Sequence, residues 1–213
     1  MIVTLDGQRL PDLVRADTTL QALIDEARAA HLGDRLVVSV AIDGYLLPDK
    51  ELGERLARPL GDVAQVDLTS ADRRQLVVDA LREIADRLRD AADEQTEIAE
   101  QMQGGKVPDA MGQFGQFMQV WQACQQTIAD CSGLLGVDLT AFETGGKTVR
   151  GHLDGLVEKF HELRDAFEAR DMVLVADMIR YELPDICRAW QNVLNGLAAE
   201  ILTRAHQASA PAS

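Results

Sequence analysis

An apolar stripe between Asp171 and Leu202 restricts what this chain can fold into. Apolar residues recur there at steps of three and four, which places them on one side of a helix. They are Met172, Val175, Ile179, Leu183, Ile186, Trp190, Val193, Leu194, Leu197 and Ile201. A stripe of that length is buried only when several other helices pack against it. The stretch therefore predicts membership of a helical bundle.

Pro184 lies inside this stretch. It lacks the N–H that would bond to the Arg180 carbonyl, and its ring clashes with that carbonyl in a regular helix. We expect a kink or a break at this point, and the sequence leaves the choice open.

Three earlier segments share the helical period, namely 70–102, 108–135 and 147–169. At ~100° per residue, the apolar face of the third differs by about 130° from that of the stretch after Asp171. One straight helix cannot bury both faces, so the chain should break near Arg170 with Asp171 as the new cap. Residues 70–205 are thus predicted to form an antiparallel four-helix bundle, followed by a disordered tail at 206–213.

Residues 1–69 have the alternating pattern of strands instead. Two Asp-Gly turns, at Asp6 and Asp43, and one helical segment give the order β-β-α-β-β-β, which resembles the β-grasp (ubiquitin-like) fold. Modifiers and sulfur carriers of that fold end in a free Gly-Gly, whereas here Asp67 to Ser70 lead into a helix. The predicted fold class is α+β: a small β-grasp-like domain (1–69) followed by the bundle.

The charge of the chain limits its partners. The net charge is −14, divided as 12 acids and 7 bases in residues 1–70 and 23 acids and 14 bases in residues 71–213. Nucleic acids and anionic membranes bind to basic patches on proteins, so neither is an expected partner of this acidic chain. No apolar run approaches the ~20 residues of a membrane span. Three cysteines and an acidic N-terminus without a signal pattern favour the cytoplasm.

Motifs that suggest chemistry are incomplete. The segment Gly145–Thr148 reads GGKT, but a phosphate loop needs a glycine where this chain has Ala141, and a strand before it. Glu158 and His161 match one half of a di-iron motif that requires a second copy. The cysteines lack Cys-x-x-Cys spacing and are expected to be core residues. We predict no catalytic residue, cofactor or metal ligand, and an enzyme is less expected than a binding protein.

The segment from Ala110 to Ala129 contains no charged residue, in a chain that is 26% charged. Aromatic side chains and glutamines alternate along it, and Gly112 and Gly115 weaken the helix near its start. Charge is depleted in the cores of protein interfaces. The segment is therefore either a contact surface or the most enclosed helix of the bundle. The candidate interface residues are Phe114, Gln116, Phe117, Met118, Gln119 and Trp121.

The stretches VVSVAIDGYLLPDKEL and DMVLVADMIRYELPDICRAW are similar to uncharacterised bacterial proteins with an N-terminal β-grasp domain and a C-terminal helical bundle. The resemblance implies no functional residue. The function that we predict is a non-enzymatic cytoplasmic protein-interaction module, an adaptor or assembly chaperone, which binds a protein partner or itself. The alternative is a regulatory module that binds a small ligand in the helical bundle.

Overall fold

The computed structural model describes residues 1–13 and 18–209. It is a mixed α+β structure, in which a small five-stranded sheet is followed by a helical region. The chain divides into two compact units, the first from Met1 to Leu76 and the second beginning at Val77. No helix in the described residues is long and apolar enough to cross a membrane.

The N-terminal unit is built around one sheet with the strand order β2-β1-β5-β3-β4, in which β1 and β5 are parallel and the other pairs antiparallel. Its strands are β1 (Ile2–Leu5), β2 (Gln8–Arg9), β3 (Arg35–Ile42), β4 (Tyr45–Leu46) and β5 (Gln65–Asp72). Its helices are α1 (Leu20–Ala27), which continues as a π-helical turn (Arg28–Leu32), and α2 (Asp49–Arg55). Alternate strand residues, among them Val3, Val40, Val66 and Leu68, are buried in one core. Leu23 of α1 is buried in the same core.

The central strand β5 is held near both ends by the aspartates of the two Asp-Gly turns. At its start, Asp43 Oδ1 accepts the backbone N–H groups of Ala64 (3.0 Å) and Gln65 (2.7 Å). Towards its end, Asp6 accepts the backbone N–H (2.7 Å) and the hydroxyl (2.6 Å) of Ser70. Both aspartates have positive φ, +50° and +49°, as a tight hairpin turn of this kind requires. Each turn therefore both reverses the chain and fixes the strand between its neighbours.

The strand β5 extends further than the sequence predicted. Ser70 and Asp72 were both predicted as possible caps of the first long helix, but Ser70 pairs with Val37 in the sheet, and its amide is bonded to Asp6. The helix α3 (Arg73–Gln103) begins only after Asp72, whose carboxylate accepts two amides of the first turn, as expected of a cap. The domain boundary at 69–70 stays a prediction.

The helical unit follows the predicted period. Its helices are α3, α4 (Val107–Leu135), α5 (Val149–Glu168), α6 (Met172–Asp177) and α7 (Leu183–Ser209). A short hairpin of β6 (Glu143–Thr144) and β7 (Lys147–Thr148) precedes α5, so the first two residues of the helix predicted at 147–169 belong to a strand instead. The backbone of 206–209, expected in the tail, belongs to α7, and 210–213 lie outside the described residues.

The predicted break before α6 is confirmed. Arg170 has a left-handed backbone, with φ +57°. The Asp171 carboxylate then accepts the Leu174 amide at 3.0 Å and caps α6.

A break at Pro184 is not observed. The helix passes from α6 through a π-helical turn, Met178–Glu182, directly into α7, and the Leu183 N–H bonds five residues back to the Met178 carbonyl. A wider turn spaces the backbone so that the proline ring need not collide with the Arg180 carbonyl. The sequence predicted the clash between Pro184 and the Arg180 carbonyl, but it did not predict the π-helical turn that avoids it.

Aromatic rings fill the middle of the helical unit. The Trp121 ring lies 6.3 Å from Phe117, 5.9 Å from Phe160 and 5.9 Å from Trp190, measured between centroids. All three contacts are edge-to-face, with interplanar angles of 78° to 85°. Trp121 therefore joins α4 to α5 and α7 through the preferred geometry of aromatic pairs.

Replacing Trp190 with alanine should destabilise the helical unit. The side chain is buried, and a Trp→Ala change in a core costs about 3–5 kcal/mol. Tyr181→Ala is the matched control, because Tyr181 is 63% exposed and its loss should cost about 0.5 kcal/mol or less. Urea unfolding measured by far-UV circular dichroism compares the two variants. Equal losses would place Trp190 outside the core.

The Asp6 contacts should make the N-terminal unit sensitive to acid. The hydroxyl of Ser70 first, then its amide and the nearby Arg35, hold the pKa of Asp6 below its usual 3.8. A lowered folded-state pKa adds stability that is present above pH 3.8 and is lost as pH falls through the lower value. Protection of the Ser70 amide from hydrogen exchange should therefore decrease through that window. In Asp6→Asn the decrease should be smaller, and an identical pH profile would contradict this role.

Candidate functional site

The helix α4 has one side in the core and one side in solvent. Its buried residues are spaced by three and four and lie along one side: Ala110, Phe114, Phe117, Trp121, Cys124, Ile128 and Cys131. The ring contacts of Trp121 fix how the helix is rotated about its axis. The opposite side consequently faces outward.

The six predicted interface residues divide between these two sides. Phe114, Phe117 and Trp121 are buried, Met118 is half-buried, and Gln116 and Gln119 are exposed. The aromatic residues are thus core residues of the monomer. The buried aromatic side cannot contact another molecule, so the glutamine side is the part of α4 available as a contact surface.

Between the exposed Asp109 and Asp130, that outward side has no charged residue. We call it the uncharged surface, and it consists of Gly112, Gly115, Gln116, Gln119, Gln122 and Gln126, all exposed. On α3, by contrast, the exposed residues between positions 82 and 100 are all charged except Thr96. The lack of charge on α4 is therefore not a consequence of burial. Solvent reaches this side, as it does the charged side of α3.

The two glycines of the uncharged surface are not required by the packing of the chain itself. A Cβ added at Gly112 or Gly115 would meet nothing within 4 Å. Glycine within a helix costs about 1 kcal/mol relative to alanine. The chain accepts this cost twice without any contact of its own that needs the space.

The three cysteines are poor candidates for chemistry. All are buried and free. Burial raises the pKa of Cys124 to about 12 and those of Cys131 and Cys187 to about 11. The thiols are therefore protonated at neutral pH, and the thiolate is the reactive form.

One amide that sequence reasoning missed lies in the same core. Gln95 is fully buried, and its Nε2 donates to Cys187 Sγ at 3.3 Å. Its Oε1 has no partner in the described structure, and neither does Trp121 Nε1. Gln95 lies on the apolar side of α3, four residues after Ala91 and three before Ile98, and this spacing is the signal by which the sequence could have predicted its burial.

A separate pocket of about 230 Å³ lies in the N-terminal unit, and its lining includes Leu5, Asp6, His31, Leu32, Arg35 and Ser70. Three of its polar residues, Asp6, Arg35 and Ser70, are bonded to one another. Arg35 Nε donates to Ser70 Oγ at 2.8 Å, and Nη2 donates to the Ser70 carbonyl at 2.8 Å. This network strengthens the end of β5.

The motifs that suggested chemistry have structural roles. Gly145 and Gly146 form the turn of the β6–β7 hairpin with positive φ, and Thr148 caps α5 by accepting the Gly151 amide at 3.1 Å. Glu158 and His161 are both exposed. Among the described residues, no three His, Cys, Asp or Glu side chains are grouped as metal ligands would be.

Comparison with protein families gives one match, and it lies in the helical unit. Residues 79–193, more than half of the 213, match the family described as Domain of unknown function (DUF8042). The chain belongs to this family. No curated protein and no solved structure matches it.

The DUF8042 match contains the whole uncharged surface. It extends from the first turns of α3 through α4, α5 and α6 into α7. The sheet of the N-terminal unit precedes the matched residues. The family assignment is therefore an assignment of the helical unit.

The glycines of the uncharged surface predict a gain in stability on substitution. Gly115→Ala should raise the free energy of unfolding by about 0.5–1 kcal/mol, because alanine favours the helix and the new Cβ meets no neighbour. Gly146→Ala is the control. Its φ of +82° strains any side chain, so the same change should destabilise. A loss of stability for Gly115→Ala, measured by chemical denaturation, would contradict an open site.

Proposed function

We propose that this chain is a non-enzymatic protein-interaction module, an adaptor or assembly chaperone, and that it meets its partner through the uncharged surface of α4. The observation that supports this most is an exposed helix side without charge in a strongly acidic chain. Interface cores are depleted of charged residues in the same way.

The partner that fits this surface is a protein. The surface presents glutamine amides, which both donate and accept hydrogen bonds, beside glycines that permit a close approach of backbone. Phosphate groups would instead require clustered Lys and Arg side chains. A net charge of −14 also repels nucleic acid and anionic membranes.

The finer architecture is part of the proposal. For the N-terminal unit we propose a β-grasp fold, supported by the parallel β1–β5 pair at the centre of the strand order and by the helix between β2 and β3. For the helical unit we propose an antiparallel four-helix bundle, with α6 and α7 as its fourth member. The three-residue connection between α3 and α4 supports this, since short connections join antiparallel neighbours.

We also place the protein in the cytoplasm. Three free, buried cysteines fit a compartment in which thiols stay reduced.

A ligand held inside the helical unit is the alternative. The unpartnered Gln95 Oε1 and Trp121 Nε1 favour it, because inward polar atoms can orient a bound molecule. The rings packed around Trp121 oppose it by occupying the space that a ligand would need.

Site-specific photo-crosslinking in extracts of the native host tests the interaction surface. A photoreactive phenylalanine in place of Gln119 should give a discrete protein adduct. The same group in place of Arg87, which is exposed on α3, is the control and should give none. Adding Gln116→Glu should abolish the adduct, because a buried unpaired carboxylate opposes association. Equal adducts from both positions, or an adduct that survives the new charge, would contradict the proposal.

A further inference from the structure

The spacing of the uncharged surface has a two-fold character. From Gly112 through Gln116, Gln119 and Gln122 to Gln126, the steps are four, three, three and four residues. All five residues are exposed on the same side of α4. An antiparallel copy of the helix, rotated about an axis through Gln119, would therefore place this side onto itself.

Such pairing places one of the glycines opposite a glutamine. With Gln119 on the axis, Gly112 lies opposite Gln126 of the second copy, and Gln116 lies opposite Gln122. The space above Gly112 is open, since an added Cβ would meet nothing within 4 Å. Gln126 of the second copy lies opposite this space, and its side-chain methylenes can occupy it while its Nε2 donates to Asp130 Oδ1 of its own chain at 2.7 Å. This provides the contact that the glycine lacks within its own chain.

Charge and hydrogen bonding favour a second copy as well. Each copy carries a net charge of −14, so contact through a charged side, such as that of α3, brings carboxylates together. Contact through the uncharged surface brings none together between positions 110 and 129, and Asp109 and Asp130 lie at the two ends of the contact. Side-chain amides are self-complementary, because each has two N–H donors and a carbonyl acceptor.

We propose that the partner at the uncharged surface is a second copy of this chain, bound antiparallel through α4 about Gln119. This rests on the proposed function and names the partner at the same surface. The contact is isologous: both copies use the same surface, Gln119 meets its symmetry equivalent on the axis, and every other pair, such as Gly112 with Gln126, occurs twice.

The size of the surface sets the expected strength. From Gly112 to Gln126 the helix extends about 21 Å at ~1.5 Å per residue. One helix side of that length is smaller than the ~800 Å² per partner of a standard interface. The dimer should therefore be reversible and depend on concentration.

Sedimentation velocity of the purified full chain, over roughly 10 to 500 µM to suit a small interface, tests the pairing. The parent should shift from monomer to dimer. Gln119→Glu and Gln119→Lys should each weaken dimerisation about tenfold or more, because like charges then face each other across the axis. An equal mixture of the two should recover it, since a carboxylate on one copy then faces an ammonium on the other.

Gln125→Glu is the matched control. It makes the same change on the same helix, at an exposed position about 120° from Gln119. The dimerisation constant should stay within about twofold of the parent, because residues outside the centre of an interface contribute little to the binding energy. Melting curves confirm that the variants are folded. A parent that stays monomeric, or a mixture no better than the single variants, would overturn the second-copy proposal.

The two proposals can fail separately. Crosslinking from position 119 to a different protein in host extract, together with a purified chain that remains monomeric, would overturn the second copy and leave the interaction surface standing. A position-119 adduct with twice the mass of the chain would support both. If neither extract nor purified chain gives an adduct at that position, both proposals fall.

Discussion

The packing of Trp121 in the core determines which side of α4 forms the candidate surface. Its ring packs edge-to-face against Phe117, Phe160 and Trp190, which fixes the rotation of α4 about its own axis. The opposite side, centred on Gln119, must then face solvent. A core interaction thus determines which residues are available outside, and a change that turned α4 would alter the surface without touching any of its residues.

The uncharged surface departs from the pattern that the exposed side of α3 follows. Exposed positions of α3 are almost all charged, as expected of a helix side in contact with water. The α4 surface has amides and two glycines instead, at a cost in helix stability. Natural sequences break local rules mainly at functional sites. Because neither glycine is needed for intramolecular packing, the compensating contact is expected outside the monomer.

The N-terminal unit follows a different principle. Its central strand is fixed by the carboxylates of Asp6 and Asp43, each part of a tight turn and each bonded to β5. Around Asp6, Ser70 and Arg35 are bonded mainly to one another, so the groups lining the adjacent pocket stabilise the fold. The family match, at residues 79–193, lies in the helical unit and does not include the N-terminal sheet.

The sequence by itself determined the α+β order, the helical segments, the cap at Asp171 and the charge-free segment. These follow from periodicity and from the chemistry of single residues, which are local properties. Tertiary structure alone decided that Phe114, Phe117 and Trp121 are buried while Gln116 and Gln119 are exposed, because burial depends on which neighbours surround a helix. It also decided that Ser70 belongs to a strand and that a π-helical turn accommodates Pro184. In both cases the deciding hydrogen bonds or packing involve partners that local pattern cannot identify.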